Sequence, residues 1–388
     1  CGQAWKAARP KDDFKAVAPH LAEVFARTRE VAQVKGEIMG LDPYDALLDA
    51  YEPGARRAQI ATLFDDLAAF LPCFTDQVLE AQARRGHGVA PKGPFPIPTQ
   101  REVGLHFMQT VGFDLNHGRL DVSAHPFCGG GAADVRITTR YREDDFVQSL
   151  MGVLHETGHA LYEQGRPMAW RAQPVGRARS MGVHESQSLL MEMQACRSRE
   201  FIELASPVLA EKFGGDPAGW APDNLYKIYT HVERGLIRVD ADEVTYPAHV
   251  IMRFRLETAL VDGDLKVDDL PGAWREAMVK TVGIENPDDK DGCMQDIHWN
   301  EGLVGYFPTY TLGAMMAAQL FEAATAQVPE ARPGIAKGDF KPLLGWLRAN
   351  VHGHGSLLTT DELMTKATGR PLDAGVFKAH LKRRYLGD

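Results

Sequence analysis

Residues 155–159 read His155-Glu156-Thr157-Gly158-His159, a pattern that fixes local structure and chemistry together. Side chains four apart share one face of an α-helix a turn apart, so the two imidazoles converge only if the segment is helical. Glu156 projects about 100° further round the axis, which suits a base beside the pair better than a third donor within it. Val147, Leu150, Met151 and Leu154 recur at helical spacing just before the motif and place it on a buried helix. The bland alternative is two surface histidines on an amphipathic helix. Among 14 histidines, a chance match is roughly a few-per-cent event.

Two imidazoles so placed hold a metal ion, and a catalytic zinc keeps three protein donors and one open position. The extended motif H-E-x-x-H-x-x-G-x-x-H fails, because Tyr162 and Gly165 stand where glycine and histidine are needed. Downstream, His184-Glu185-Ser186-Gln187-Ser188 opens another helical pattern through Leu189, Leu190 and Met193. Glu185 follows His159 by 26 positions, room for a loop and a second helix packed beside the first. A carboxylate third ligand, Glu185, is therefore favoured, with His184 as a rival donor. Zinc is the default ion for two histidines and a carboxylate; cobalt or manganese also suits them.

The rest of the chain predicts a mainly α protein. Asp12 or Asp13 caps a helix carrying Phe14, Val17, Leu21, Val24 and Phe25. A second helical run extends from about Ala55 to Arg84, and Pro72 should kink or break it. Thr99 and Glu102 read as a capping box opening a helix through Val111. Cys128-Gly129-Gly130-Gly131 reads as a flexible loop, and the β-branched stretch Asp134–Tyr141 as a short strand. Two further helices are expected within Leu357–Leu386.

Composition narrows the partners. A formal charge of −9 without a long basic run argues against nucleic acid or an anionic membrane. No apolar run reaches the eighteen or so residues of a membrane helix, and no secretory signal is visible. The five cysteines are widely spaced without a C-x-x-C pair, which suits a reducing cytoplasm.

Five ordered elements resemble the carboxypeptidase Taq family of metallocarboxypeptidases. They are Asp134-Val135-Arg136-Ile137-Thr138, His155–His159, His184-Glu185-Ser186, Ile237-Arg238-Val239-Asp240-Ala241-Asp242, and Gly292 to Trp299 with Gln295, Asp296 and His298. The resemblance implies a single large helical zincin-type peptidase domain over residues 1–388, with a deep central cleft and a small β patch beside the zinc site. It also implies a homodimer that removes single amino acids from peptides bearing a free C-terminal carboxylate. The resemblance also implies that the domain lacks about the first hundred residues usual in the family, where members carry helices that wall or cover the cleft. The segment Val351–Ser356 departs from the family in lacking an expected basic residue.

On this reading Glu156 is the base acting on water at the metal. Tyr310 and His298 are catalytic candidates for stabilising the tetrahedral intermediate, and Tyr306 contacts substrate. Arg238 receives the substrate carboxylate, which a planar guanidinium can hold through two hydrogen bonds. Its alternative is an ion pair with Asp240 or Asp242. Asp242 is also a candidate for orienting a metal-bound histidine. Arg136 is expected to stabilise the strand. Two rival functions stand beside this one: an endopeptidase or dipeptidase of the same helical class, and a metal-binding helical protein with little turnover.

Overall fold

Asp13, rather than Asp12, opens the first long helix: its carboxylate accepts the Ala16 backbone N–H at 3.1 Å, and residues Phe14–Met39 follow. The computed structural model describes residues 1–123 and 126–387. These divide into two compact units, one of Cys1–Gln82 with Val232–Thr311, the other of Ala83–His231 with Leu312–Asp388. Both are mainly helical.

In the first unit the helix Arg57–Arg85 continues past Pro72 without a break. Ile60, Phe64, Leu67, Leu71, Phe74 and Val78 are all buried. They alternate in steps of four and three, so the apolar stripe keeps its phase across the proline. Burying each such side chain stabilises the helix by ~1.5–3 kcal/mol. Together they outweigh the ~3 kcal/mol cost of an interior proline.

The second unit holds the β patch. Strands β1 (Gly118–Val122), β2 (Phe127–Gly131) and β3 (Asp134–Thr139) form one sheet in the order β1-β3-β2. β1 lies parallel to β3, and β2 antiparallel. The glycine run read as a loop is therefore an edge strand, with Gly129 paired to Arg136 and Gly131 to Asp134. Low β-propensity is overridden here by the ladder that β3 offers. Val135 and Ile137 of β3 are buried, and the strand packs on the helix Val147–Gly165.

Thr99 and Glu102 make no capping box. The helix begins earlier, at Ile97, behind Pro96 and with Pro98 in its first turn, a position whose fixed φ suits helix entry. At the C-terminal end the two expected helices appear as Thr360–Thr368 and Ala374–Tyr385, the first opened by a true Thr359–Glu362 capping box. No described helix is long and apolar enough to cross a membrane.

Candidate metal centre

The motif helix Val147–Gly165 starts where Asp145 accepts the backbone N–H groups of Val147 and Gln148 at 2.9 and 3.2 Å. Beside it runs the helix Met181–Leu189, capped by Ser180 on the Val183 N–H at 3.0 Å. Gly158 sets their approach: a Cβ there would sit 2.4 Å from the Gln187 carbonyl oxygen. Gly313 does the same behind Glu185, where an added Cβ would stand 2.8 Å from the Glu185 side chain. Neither contact tolerates alanine without a shift.

His155, His159 and Glu185 each offer a donor atom, and the three atoms lie within 4.8 Å of one another. Nε2 of His159 is 3.4 Å from Glu185 Oε2, and Nε2 of His155 is 3.9 Å from the same oxygen. Donors about 2.0–2.1 Å from a tetrahedral ion stand about 3.4 Å apart. The donor set and its spacing thus fit such an ion. His184, the rival donor, faces away: its Nδ1 meets Nδ1 of His159 at 2.6 Å and its Nε2 meets Glu163 Oε1 at 3.0 Å. Glu163 is held in turn by Arg166.

The orientation of His155 comes from a residue that the sequence reading missed. Its Nδ1 lies 2.9 Å from Glu192 Oε2, and the other oxygen of Glu192 accepts Arg197 Nη2 at 2.7 Å. Glu192 sits in a π-helical turn, Leu190–Cys196, that prolongs the helix bearing Glu185. It follows Glu185 by seven positions, two turns on and near the same face, which was the available signal. Asp242, in the first unit, accepts the backbone N–H groups of Glu233, Val244 and Thr245, and so shapes the turn before Tyr246.

Burial and neighbouring charge drive the two imidazoles apart. Burial pulls His155 down, but Glu185 and Glu192 outweigh it and hold its pKa at about 10. For His159 burial prevails, and its pKa falls to about 4. Burial would raise Glu185, yet the three surrounding histidines hold it at about 2. Glu156 is buried on the motif helix, and burial, reinforced by Glu185 and Glu192, pushes it up to about 7. His352, in the segment that departs from the family, is buried with Nε2 2.9 Å from Gln187 Oε1.

The remaining predicted residues, Arg136 of the second unit excepted, lie in the first unit and gather among themselves. Arg238 is 4% exposed and pairs not with Asp240 or Asp242 but with Asp296, donating to Oδ1 at 2.8 and 3.1 Å. Its Nη1 donates to the Tyr246 hydroxyl at 2.6 Å, and its guanidinium lies 4.9 Å from the Tyr310 ring centre. Arg253, fully buried, donates to the other Asp296 oxygen at 2.7 Å. Nε2 of His298 lies 3.0 Å from the Tyr310 hydroxyl. Tyr306 packs edge-on against Tyr51 and Tyr310. Arg136 is exposed and pairs with Asp134 on its own strand.

Residues 1–385 match the family described as carboxypeptidase Taq (M32) metallopeptidase. Thermostable carboxypeptidase 1 of Thermus thermophilus is 43% identical over 394 residues, covering 98% of this chain and 76% of that protein. The structure of Trypanosoma cruzi metallocarboxypeptidase 1 superposes with a TM-score of 0.96 at 45% identity, covering 99% of this chain and 77% of the other. An M32 carboxypeptidase from Deinococcus radiodurans gives 0.93 at 38% identity, with 99% and 77% coverage. With a matched profile over nearly its whole length and relatives that are carboxypeptidases, the chain belongs to the carboxypeptidase Taq family of metallopeptidases.

Proposed function

We propose that the protein is a zinc-dependent carboxypeptidase that removes single amino acids from peptides with a free C-terminal carboxylate. The observation that carries this reading is the convergence of His155, His159 and Glu185 on one point, with Glu156 buried on the same helix. His155, His159 and Glu185 hold the ion; cobalt or manganese suits the same donors. When bound, the ion supplies Lewis acidity, polarising the scissile carbonyl and lowering the pKa of water.

The chain's own residues do the rest. Glu156 takes the proton from the attacking water as the new C–O bond forms, and passes it to the amine nitrogen as the tetrahedral intermediate collapses and the C–N bond breaks. Glu192 and His184 fix the ring planes of His155 and His159 by engaging their Nδ1 atoms, which turns each Nε2 toward Glu185. The carboxylate contact falls to Arg238, whose planar group is already held by Asp296 and Tyr246 and loses little freedom on binding. Tyr310, oriented through its hydrogen bond with His298, is assigned to the oxygen that gains charge in the tetrahedral intermediate. Tyr306 is assigned to substrate contact. The family's homodimer and a cytoplasmic setting complete the proposal.

Matched peptides with free and amidated C-termini test it directly. Amidation should lower kcat/KM about 100-fold or more, because a charged bidentate partner is lost, while Arg238→Ala should cost the free peptide a similar factor and the amidated one little. Equal cleavage of both peptides would assign an endopeptidase instead. Glu156→Gln should reduce kcat by at least about 100-fold; unchanged release of amino acids would remove Glu156 from the mechanism.

A further inference from the structure

Arg253 neighbours the arginine assigned to the substrate carboxylate, yet has no part in the reaction as described. It stands on the helix Tyr246–Asp262 and is 0% exposed. Each guanidinium takes its own oxygen of Asp296: Arg238 holds Oδ1 at 2.8 and 3.1 Å, and Arg253 holds Oδ2 at 2.7 Å. Among the described residues Asp296 is the one carboxylate that either arginine meets. Arg238 and Asp296 cancel, so Arg253 leaves the cluster with a positive charge that nothing balances.

The surroundings supply no second anion. Burial first, and then the two guanidiniums, lower His249 to about 3, and burial with Arg238 lowers His298 to about 4, so both rings are neutral at pH 7. Glu257, the other buried carboxylate of this unit described above, accepts from Tyr44, Trp299 and Gly305 and from neither arginine. The other contacts of Arg253 are the His249 carbonyl at 2.8 Å and the rings of Trp274 and Phe307, at 4.6 and 5.7 Å. Its Nη2 is buried without a hydrogen-bond partner.

Folding alone gives no reason for this arrangement. A buried charge in excess costs stability, and an apolar side chain of similar length would fill the space beside Trp274 without that cost. A local rule broken with no structural gain marks a functional position. The consequence falls on Arg238. Paired with Asp296 alone, it would offer an incoming carboxylate a neutral ion pair, which attracts only as a dipole. With Arg253 on the other oxygen, the carboxylate meets two cations against one anion, in surroundings of low dielectric.

We propose that Arg253 is a positioning residue for substrate choice: without touching the peptide, it offsets Asp296 and leaves Arg238 the net charge that selects a free C-terminal carboxylate. This role rests on the carboxypeptidase reading.

Arg253→Gln and Arg253→Lys, compared with the wild type on matched peptides with free and amidated C-termini, test it. Glutamine keeps a donor for Asp296 and loses the charge, whereas lysine keeps both. Arg253→Gln should raise KM for the free peptide about tenfold or more and move kcat less than about threefold, because the lost attraction acts on ground and transition states alike. Its KM for the amidated peptide should move less than about threefold, there being no carboxylate to attract. Arg253→Lys should keep the wild-type preference within about threefold. The ratio of free to amidated cleavage is taken within each variant, so a smaller folded fraction does not alter it. Should glutamine prevent folding, Arg253→Met removes the same charge and should show the same loss of preference. A preference unchanged in the uncharged variants, or lost equally with lysine, would overturn the proposal and leave the carboxypeptidase reading standing. Equal cleavage of both peptides by the wild type would overturn that reading and this role together, so the wild-type ratio tells the two failures apart.

Discussion

Two buried charge clusters, one in each unit, are built with opposite excess. Around the motif helix, Glu156, Glu185 and Glu192 surround two imidazoles, with Arg197 on the outer oxygen of Glu192. In the first unit two guanidiniums, Arg238 and Arg253, share the single carboxylate of Asp296. The same side chain reports the difference. His155 among carboxylates is held at about 10 although burial opposes it. His298 falls to about 4, through burial first and then Arg238. Burial lowers all of these imidazoles; at His155 alone do the neighbouring carboxylates reverse it, while His159 in the same cluster, with His184 and His155 also beside it, still falls to about 4. A carboxylate-rich pocket with convergent imidazoles suits a cation, and a guanidinium-rich one suits a carboxylate.

The comparison is broken most sharply at Glu185. Glu185→Ala removes one of three donors and leaves two imidazoles, which hold a catalytic ion poorly. Metal analysis of the purified variant should show well under a tenth of the wild-type stoichiometry, with activity lost in parallel, about 1,000-fold or more. Retained stoichiometric zinc would mean that another donor, His184 foremost, completes the set.

Asp296→Asn is the counterpart in the first unit. It keeps the shape and leaves two buried guanidiniums facing each other without their shared anion. Breaking a buried pair on one side costs ~3–5 kcal/mol, read as a lower urea midpoint. The Asp296 carboxyl is held well below the usual range, because Arg238 and Arg253 outweigh the burial that would raise it. Its contribution is thus fully present above the unfolded carboxylate pKa and disappears only in strong acid. A loss of stability under 1 kcal/mol would show that the cluster is solvated in a way the burial contradicts.

A smaller effect isolates orientation from ligation. Glu192→Gln retains a group that can accept from His155 Nδ1 but removes the charge, and should weaken metal affinity about 10–100-fold. A competing chelator measures this. The readout separates the orienting role from simple folding, since a structural residue would move the urea midpoint and leave the affinity per folded molecule unchanged.

Glu192 also shows where sequence reading ends. His155 and His159 were legible because four-residue spacing is a local rule of the helix. Glu185 needed a second helix, and the failed extended motif together with the helical pattern opening at His184 pointed to it, with His184 left as a rival. Glu192 lay seven positions further on, but its reach depends on a π-helical turn that no residue there announces. Pro72 failed in the other direction: a single breaker was weighed above a stripe of buried residues that runs in phase across it. The glycines of β2 misled for a related reason, since their pairing is decided by β3 and not by their own propensity. Arg238 was found by its motif, yet its partner Asp296 lies 58 positions away, beyond any local pattern.

The least effect, and the finest test of the contrast, concerns a further buried carboxylate. Glu257 in the first unit is compensated by dipoles: it accepts from the Tyr44 hydroxyl, the Trp299 indole and the Gly305 backbone N–H at 2.6–2.9 Å. Burial still pushes it up to about 7, against the lowering by those three donors. The sign follows directly. With a folded pKa above the unfolded value, the folded state binds the extra proton between the two, so stability is greatest below the unfolded pKa and falls as pH rises toward 7. Between pH 6 and pH 8 the loss from this group should be about 1 kcal/mol. Urea midpoints across that range should therefore decline more steeply in the wild type than in Glu257→Gln, whose amide does not titrate. Parallel slopes would mean that three hydrogen bonds alone keep a buried carboxylate as readily charged as the paired guanidiniums keep Asp296, and that net charge is not what separates the two clusters.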